Sequence, residues 1–179
     1  LEACEATLFI GFHIHRHCGH TSPNTRWIDF SYDTSNRISQ VADNLGRTVS
    51  YGYDTSQRLI TVTDPNGGVT RYTYDASHRM LTLEDPRSIV FLTNEYDANG
   101  RVSKQTQVDN STYHFAYTTD ANNKIVQTDV TDRGNARRVT FNSSGYLLSD
   151  TRALGLPEEQ GITYERQTGS SLLLSSTDA

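Results

Sequence analysis

The chain has 179 residues, 35% of them hydrophobic, with ten Tyr against six Phe; that is length for one ordinary domain, but its apolar content favours thin amphipathic sheets over a thick core. Its net charge of −5 comes from sixteen Lys and Arg scattered among twenty-one Asp and Glu, and the lack of any basic block argues against nucleic acid as a partner. No run approaches the roughly 18 apolar residues of a membrane-spanning helix. With Leu1 first and Met80 as the one methionine, the chain reads as a segment of a longer polypeptide, so a missing signal peptide says nothing about export.

Residues 1–26 read as a lead-in of uncertain structure. In Phe12-His13-Ile14-His15-Arg16-His17-Cys18-Gly19-His20, strand alternation puts Phe12 and Ile14 on one face and His13, His15 and His17 on the other. With Cys18 and His20, these imidazoles suit zinc or copper chemically. The spacing matches no zinc motif, however, and outer partners to orient the rings are not evident. A diverged lead-in strand is the preferred reading. His13, His15, His17, Cys18 and His20 stay as the metal candidates, and no cofactor is expected. The two cysteines, Cys4 and Cys18, can pair in a secreted protein or remain free thiols.

From residue 27 the chain repeats. Phe30-Ser31-Tyr32-Asp33, Tyr51-Gly52-Tyr53-Asp54 and Tyr72-Thr73-Tyr74-Asp75 share one pattern, and Asn94-Glu95-Tyr96-Asp97 follows with its first aromatic lost. The period is about 21 residues. Four residues after each Asp comes Arg, giving Asp33/Arg37, Asp54/Arg58, Asp75/Arg79 and Asp97/Arg101, and then an apolar residue, Ile38, Leu59, Met80 or Val102. A fifth copy, Phe115-Ala116-Tyr117, has its acid–base pair slipped two places to Asp120 and Lys124. Phe141-Asn142-Ser143-Ser144-Gly145 and Tyr164-Glu165-Arg166-Gln167-Thr168-Gly169 are fainter copies. Residues 27–140 thus hold four firm copies and one slipped one, and 141–179 hold degenerate copies, incomplete at the C-terminus.

Each part of the repeat has a local reason. Aromatics two apart share a strand face. The small polar residues between Asp and Arg suit a tight turn. The Asp accepts backbone N–H bonds there, and the Arg pairs with it across the hairpin mouth, fixing register more than adding stability. A second turn falls mid-repeat at Asn44-Leu45-Gly46, Asp64-Pro65-Asn66-Gly67, Asp85-Pro86-Arg87-Ser88 and Asp109-Asn110-Ser111. The fold class is therefore all-β: antiparallel hairpins, one per repeat, stacked in sequence as an antiparallel meander. No segment has a helix period, although 154–160 suits a short helical turn or a loop. One conflict stands. Leu59 and Val62 differ in parity, so both face inward only if a bulge or strong twist intervenes.

The Tyr-Asp-x-x-x-Arg-apolar pattern, with an Asp-Pro-x-Gly-type turn about ten residues on, resembles the YD repeat of RHS-repeat proteins. The likeness covers about three quarters of the chain and is specific over residues 30–103. That family includes bacterial Rhs and wall-associated polymorphic toxins, cocoon components of Tc toxin complexes and the teneurins. The resemblance implies that the hairpins form a twisted, spiralling sheet that is part of a β-shell wall, a secreted or surface location in a bacterium, further repeats of the same polypeptide as neighbours, and an enclosed C-terminal toxin or effector. Family toxins end their shell with an Asp-Pro-x-Gly pair linked to self-cleavage. Here Asp64-Pro65-Asn66-Gly67 matches one half, Asp85-Pro86-Arg87-Ser88 lacks the glycine, and both read as ordinary turns.

No catalytic site is expected. A catalytic pair occurs once in a chain, whereas Tyr32, Asp33, Arg37, Tyr53, Asp54, Arg58, Tyr74, Asp75, Arg79, Tyr96, Asp97 and Arg101 recur with the period. These are structural residues of the repeat. An Arg beside each Asp competes with calcium, and neither His78 nor His114 has a nucleophile in its sequence context. The alternative function is an extracellular module whose tyrosine rows bind glycans or a cell surface.

Overall fold

The computed structural model describes the backbone of residues 5–8, 14–17, 26–168 and 170–178, and side chains within the last two ranges. The chain divides into two units, Leu1–Phe91 and Leu92–Ala179. In the first lie β1 (Glu5–Leu8), β2 (Ile14–His17), β3 (Ile28–Tyr32), β4 (Ile38–Asp43), β5 (Thr48–Tyr53), β6 (Leu59–Thr63), β7 (Val69–Tyr74) and β8 (Met80–Glu84). The boundary falls in β9 (Val90–Tyr96). The second unit continues with β10 (Val102–Gln107), β11 (Thr112–Thr119), β12 (Ile125–Asp132), β13 (Asn135–Phe141), β14 (Leu147–Arg152), β15 (Gln160–Arg166) and β16 (Leu173–Asp178). Within each unit the strand order follows the sequence and neighbours are antiparallel, as the all-β hairpin reading requires.

One five-residue turn makes most of the connections. At Asp33 the backbone N–H donates to the Arg37 carbonyl at 2.8 Å, and the Asn36 N–H donates back to the Asp33 carbonyl at 3.0 Å. The fourth residue of the turn is left-handed: Asn36, Gln57, His78 and Asn123 have φ of 61–66°, and Gly46, Gly67, Gly100 and Gly145 take the same place. This is a three-residue hairpin loop closed by a left-handed bulge residue. Small polar residues suit it because the Asp carboxylate caps it from inside. Asp33 Oδ1 accepts the N–H groups of Ser35 and Arg37, each at 2.9 Å. The frame recurs at Asp43, Asp54, Asp64, Asp75, Asp85, Asp97, Asp120 and Asn142. The mid-repeat turns are therefore the same device as the tyrosine–aspartate turns. The third mid-repeat turn after Asp43 begins at Gln107, whose N–H donates to the Ser111 carbonyl at 2.9 Å.

The slipped fifth copy keeps this frame intact, with Asp120 Oδ1 accepting from Asn122 at 2.8 Å and from Lys124 at 2.9 Å. Its hairpin is simply longer, β11 and β12 having eight residues each. Other connections differ. β12 and β13 are joined by Arg133 (φ 47°) and Gly134 (φ 87°) between the paired Asp132 and Asn135, a two-residue turn with both centres left-handed. Residues 153–159 form linked turns instead of a helix, with the Leu156 N–H on the Ala153 carbonyl at 2.9 Å and the Glu159 N–H on the Leu156 carbonyl at 3.0 Å.

A bulge resolves the parity conflict. Tyr51 pairs with Val62 and Gly52 with Thr61, but Tyr53 pairs with Leu59. Ile60 is thus an extra residue on β6, and it puts Leu59 and Val62 on the face of Tyr53 and Tyr51. The shift recurs in the hairpins β3–β4, β7–β8, β9–β10, β11–β12, β13–β14 and β15–β16. It is missing from β4–β5, β6–β7, β12–β13 and β14–β15, so bulged and regular pairings alternate there.

Register then assigns two faces. In the first unit Phe30, Val41, Val49, Tyr51, Val62, Tyr72 and Leu83 share one face, while Ser31, Gln40, Ser50, Thr61, Thr73 and Thr82 share the other. Cross-strand pairs of aromatic and β-branched residues stabilise such a sheet. Among the described residues no apolar side chain is fully buried, and the single buried residue is Asn94, at 4% exposure. The sheet stands on neighbour-to-neighbour pairing, not on a central core.

Candidate functional site: the inter-repeat ladder

The repeated residues come together as a ladder of inter-repeat contacts, two in the first unit and one in the second. At the turn, Arg58 Nε donates to Asp54 Oδ2 at 2.7 Å, and the same bond joins Arg37 to Asp33 at 2.8 Å, Arg79 to Asp75 at 2.7 Å and Arg101 to Asp97 at 2.8 Å. The arginine then reaches onward. Arg37 lies over the Tyr53 ring at 4.2 Å, Arg58 over Tyr74 at 5.1 Å and Arg101 over Tyr117 at 4.8 Å, each within cation–π range. The tyrosine reaches back. Tyr53 Oη donates to the Ile38 carbonyl at 2.8 Å, Tyr74 Oη to the Leu59 carbonyl at 2.7 Å and Tyr117 Oη to the Val102 carbonyl at 2.7 Å. The acceptor is always the apolar residue that follows the stacked arginine. Arg58 Nη1 adds a bond to the Asp75 carbonyl at 2.9 Å.

The electrostatics follow. The backbone N–H and then the guanidinium of the arginine four residues on hold the carboxyls of Asp33, Asp54, Asp75 and Asp97 below the usual carboxylate range. For Asp43 and Asp85 the guanidinium of Arg47 or Arg87 is the leading cause. Burial pushes the phenols of Tyr53, Tyr74 and Tyr117 up. The carboxylates are neutralised neighbours of cations, not acids or bases poised near neutrality.

Two elements of this ladder were not anticipated from the sequence. Asp43 and Arg47 form a further Asp–Arg pair, with Nε to Oδ2 at 2.7 Å; its signal, Asp-x-x-x-Arg at half a period, was present in the chain. In the fourth repeat Asn94 and Gln105 pair where the first three have an aromatic and an aliphatic residue, Gln105 Nε2 donating to Asn94 Oδ1 at 2.9 Å.

Of the metal candidates, His13, Cys18 and His20 lie outside the described residues, as does Cys4. His15 and His17 fall in β2, where only backbone is described. Among the described residues no cluster of three or more His, Cys, Asp or Glu is placed to hold a metal ion. His78 is the left-handed turn residue of its repeat, and His114 is exposed beside Thr112, Oγ1 to Nε2 at 3.2 Å.

The RHS Repeat family matches residues 32–67 and 53–89. No curated protein matches the chain. Among solved structures, that of TcdB2-TccC3-Cdc42 superposes with a TM-score of 0.60 at 13% identity, covering 89% of this chain and 10% of that one. TcdB2-TccC3-TEV gives 0.59 at 14% identity, covering 86% and 9%. TcdB2-TccC3 without its hypervariable C-terminal region gives 0.55 at 14% identity, covering 92% and 9%. The chain spans about a tenth of the length of these structures. The RHS Repeat family is thus matched over the copies that carry Tyr32 to Ile89, the same turn and bulge recur in later strands, and the chain shares its fold with these structures.

Proposed function

We propose that this array is a stretch of wall in an RHS-type shell that encloses a toxin or effector within a secreted or surface-exposed bacterial protein. The observation that carries the reading is the clasp. At three places it ties a repeat to its neighbour, at a constant offset of fifteen residues from carbonyl to tyrosine, so the wall extends by adding similar hairpins. The residues that look like chemistry are consumed in building it, and the role proposed is a non-catalytic one. The likeness to the TcdB2-TccC3 structures supports the same architecture. A glycan-binding role gains nothing from the geometry, since the rings of Tyr53, Tyr74 and Tyr117 each have an arginine over them.

The test is enclosure itself. The complete polypeptide that carries these repeats should shield the segment C-terminal to the array from protease, and disrupting the array should release it. A segment that is cut as fast in the intact protein as it is alone would refute containment.

A further inference from the structure

We propose that the contact between one repeat and the next is specified by a three-position clasp that works in two interchangeable polarities. In the forward polarity the turn begins with Asp, its fifth residue is Arg, and the next repeat supplies Tyr; the sets are Asp33, Arg37 and Tyr53; Asp54, Arg58 and Tyr74; and Asp97, Arg101 and Tyr117. Near the C-terminal end all three positions change together. The turn begins with Asn142, its fifth residue is Tyr146, and the next repeat supplies Arg166.

Register shows that the exchange is position for position. Tyr53 pairs with Leu59 beside the bulge residue Ile60, and Arg166 pairs with Leu173 beside the bulge residue Leu174. Tyr146 closes its turn as Arg58 does, its carbonyl accepting the Asn142 N–H at 2.9 Å and its own N–H donating to Asn142 Oδ1 at 3.0 Å. The two contacts that define the clasp survive the exchange. The Arg166 guanidinium lies over the Tyr146 ring at 5.7 Å, and Arg166 Nε donates to the Leu147 carbonyl at 2.9 Å, the place where Tyr53 Oη meets Ile38.

The third change follows from charge. With Tyr in the fifth position there is no guanidinium for a turn carboxylate to pair with, and Asn142 retains the Oδ1 that caps the turn while shedding the charge. Asn142 Oδ1 accepts from Ser144 at 3.0 Å as Asp33 Oδ1 accepts from Ser35. Between the two polarities stands a repeat with neither pair: Lys124 occupies the arginine position and Phe141 the tyrosine position, and Lys124 Nζ instead bridges to the Ser143 carbonyl at 2.9 Å. The clasp is therefore a matched code between neighbours. Where it forms, Arg faces Tyr in either order, and the turn residue of that clasp changes with its fifth position.

The test reverses one clasp in the whole chain and rights another. Asp54→Asn, Arg58→Tyr and Tyr74→Arg are made singly and together, and amide exchange is followed in β6 and β7. Arg58→Tyr alone strands the Asp54 charge and also loses the bond to the Asp75 carbonyl, and Tyr74→Arg alone faces arginine with arginine; each should speed exchange at least about tenfold, a loss of one ring contact and at least one hydrogen bond. The triple variant should return to within about threefold of the parent. Conversely, Asn142→Asp, Tyr146→Arg and Arg166→Tyr together should preserve β14 and β15, while Tyr146→Arg alone should not. Recovery in both triple variants supports the code. A triple variant, at either place, that exchanges as fast as the product of its single changes overturns it.

Discussion

Removing one oxygen atom should open the junction between two repeats. Tyr74 Oη donates to the Leu59 carbonyl at 2.7 Å from a part-buried position, while Arg58 lies over the ring at 5.1 Å. Tyr74→Phe keeps the ring and its stacked cation and deletes only the hydrogen bond. Such a bond contributes about 1 kcal/mol net, a factor of about five in the opening equilibrium. For a chain of this length that corresponds to about 2–4 °C in melting temperature. Because repeats open locally, amide exchange across β6 and β7 is the sharper assay. Tyr72→Phe is the matched control. Tyr72 shares the face of Tyr74, but its hydroxyl takes part in no hydrogen bond among the described residues, so its loss should be nearly neutral. Equal effects at positions 72 and 74, or none at 74, would refute the clasp as a source of stability.

Further outcomes follow from the same geometry. Stability should fall in acid: the turn aspartates titrate below their ordinary value when folded, so their contribution is full above the free-carboxylate value and drains as pH drops through the folded one. Circular dichroism against pH should show this, with a shallower slope in Asp54→Asn. The phenols titrate above their ordinary value, so their contribution is full below about pH 10 and is lost as pH rises through the folded values; a Tyr53→Phe, Tyr74→Phe, Tyr117→Phe variant should flatten that alkaline limb. Gln57→Gly should stabilise by about 0.5–1 kcal/mol, because Gln57 sits at φ 66°, and a left-handed residue with a Cβ costs more than glycine loses in chain entropy. Gly67→Ala, at φ 85° with open space around the added methyl, should destabilise by about 1 kcal/mol through backbone strain alone; an unchanged denaturant midpoint would contradict it. Gln105→Leu should cost about 1 kcal/mol by removing the bond to the buried Asn94.

Much of this architecture is legible in the sequence because it is local. The period, the turns, the shared face of Tyr51 and Tyr53, and the pairing of Asp54 with Arg58 all join residues at most four apart. Strand alternation and turn chemistry act over that range. The turn at Asp120 is equally local, complete in five residues. The half-period pair Asp43–Arg47 is local too, an Asp-x-x-x-Arg spacing that starts one residue ahead of Asn44-Leu45-Gly46.

Tertiary structure alone decided the rest. Whether Leu59 and Val62 share a face depended on one bulge residue, Ile60, and a one-residue shift reverses every side chain beyond it. The Tyr–carbonyl bond, the Arg–Tyr stack and their reversal at Tyr146 and Arg166 join residues 15–20 positions apart on different strands, so they exist only once register is set. The sequence by itself determined what each hairpin is. Register, through alternating bulged and regular pairings, determined how each hairpin grips the next.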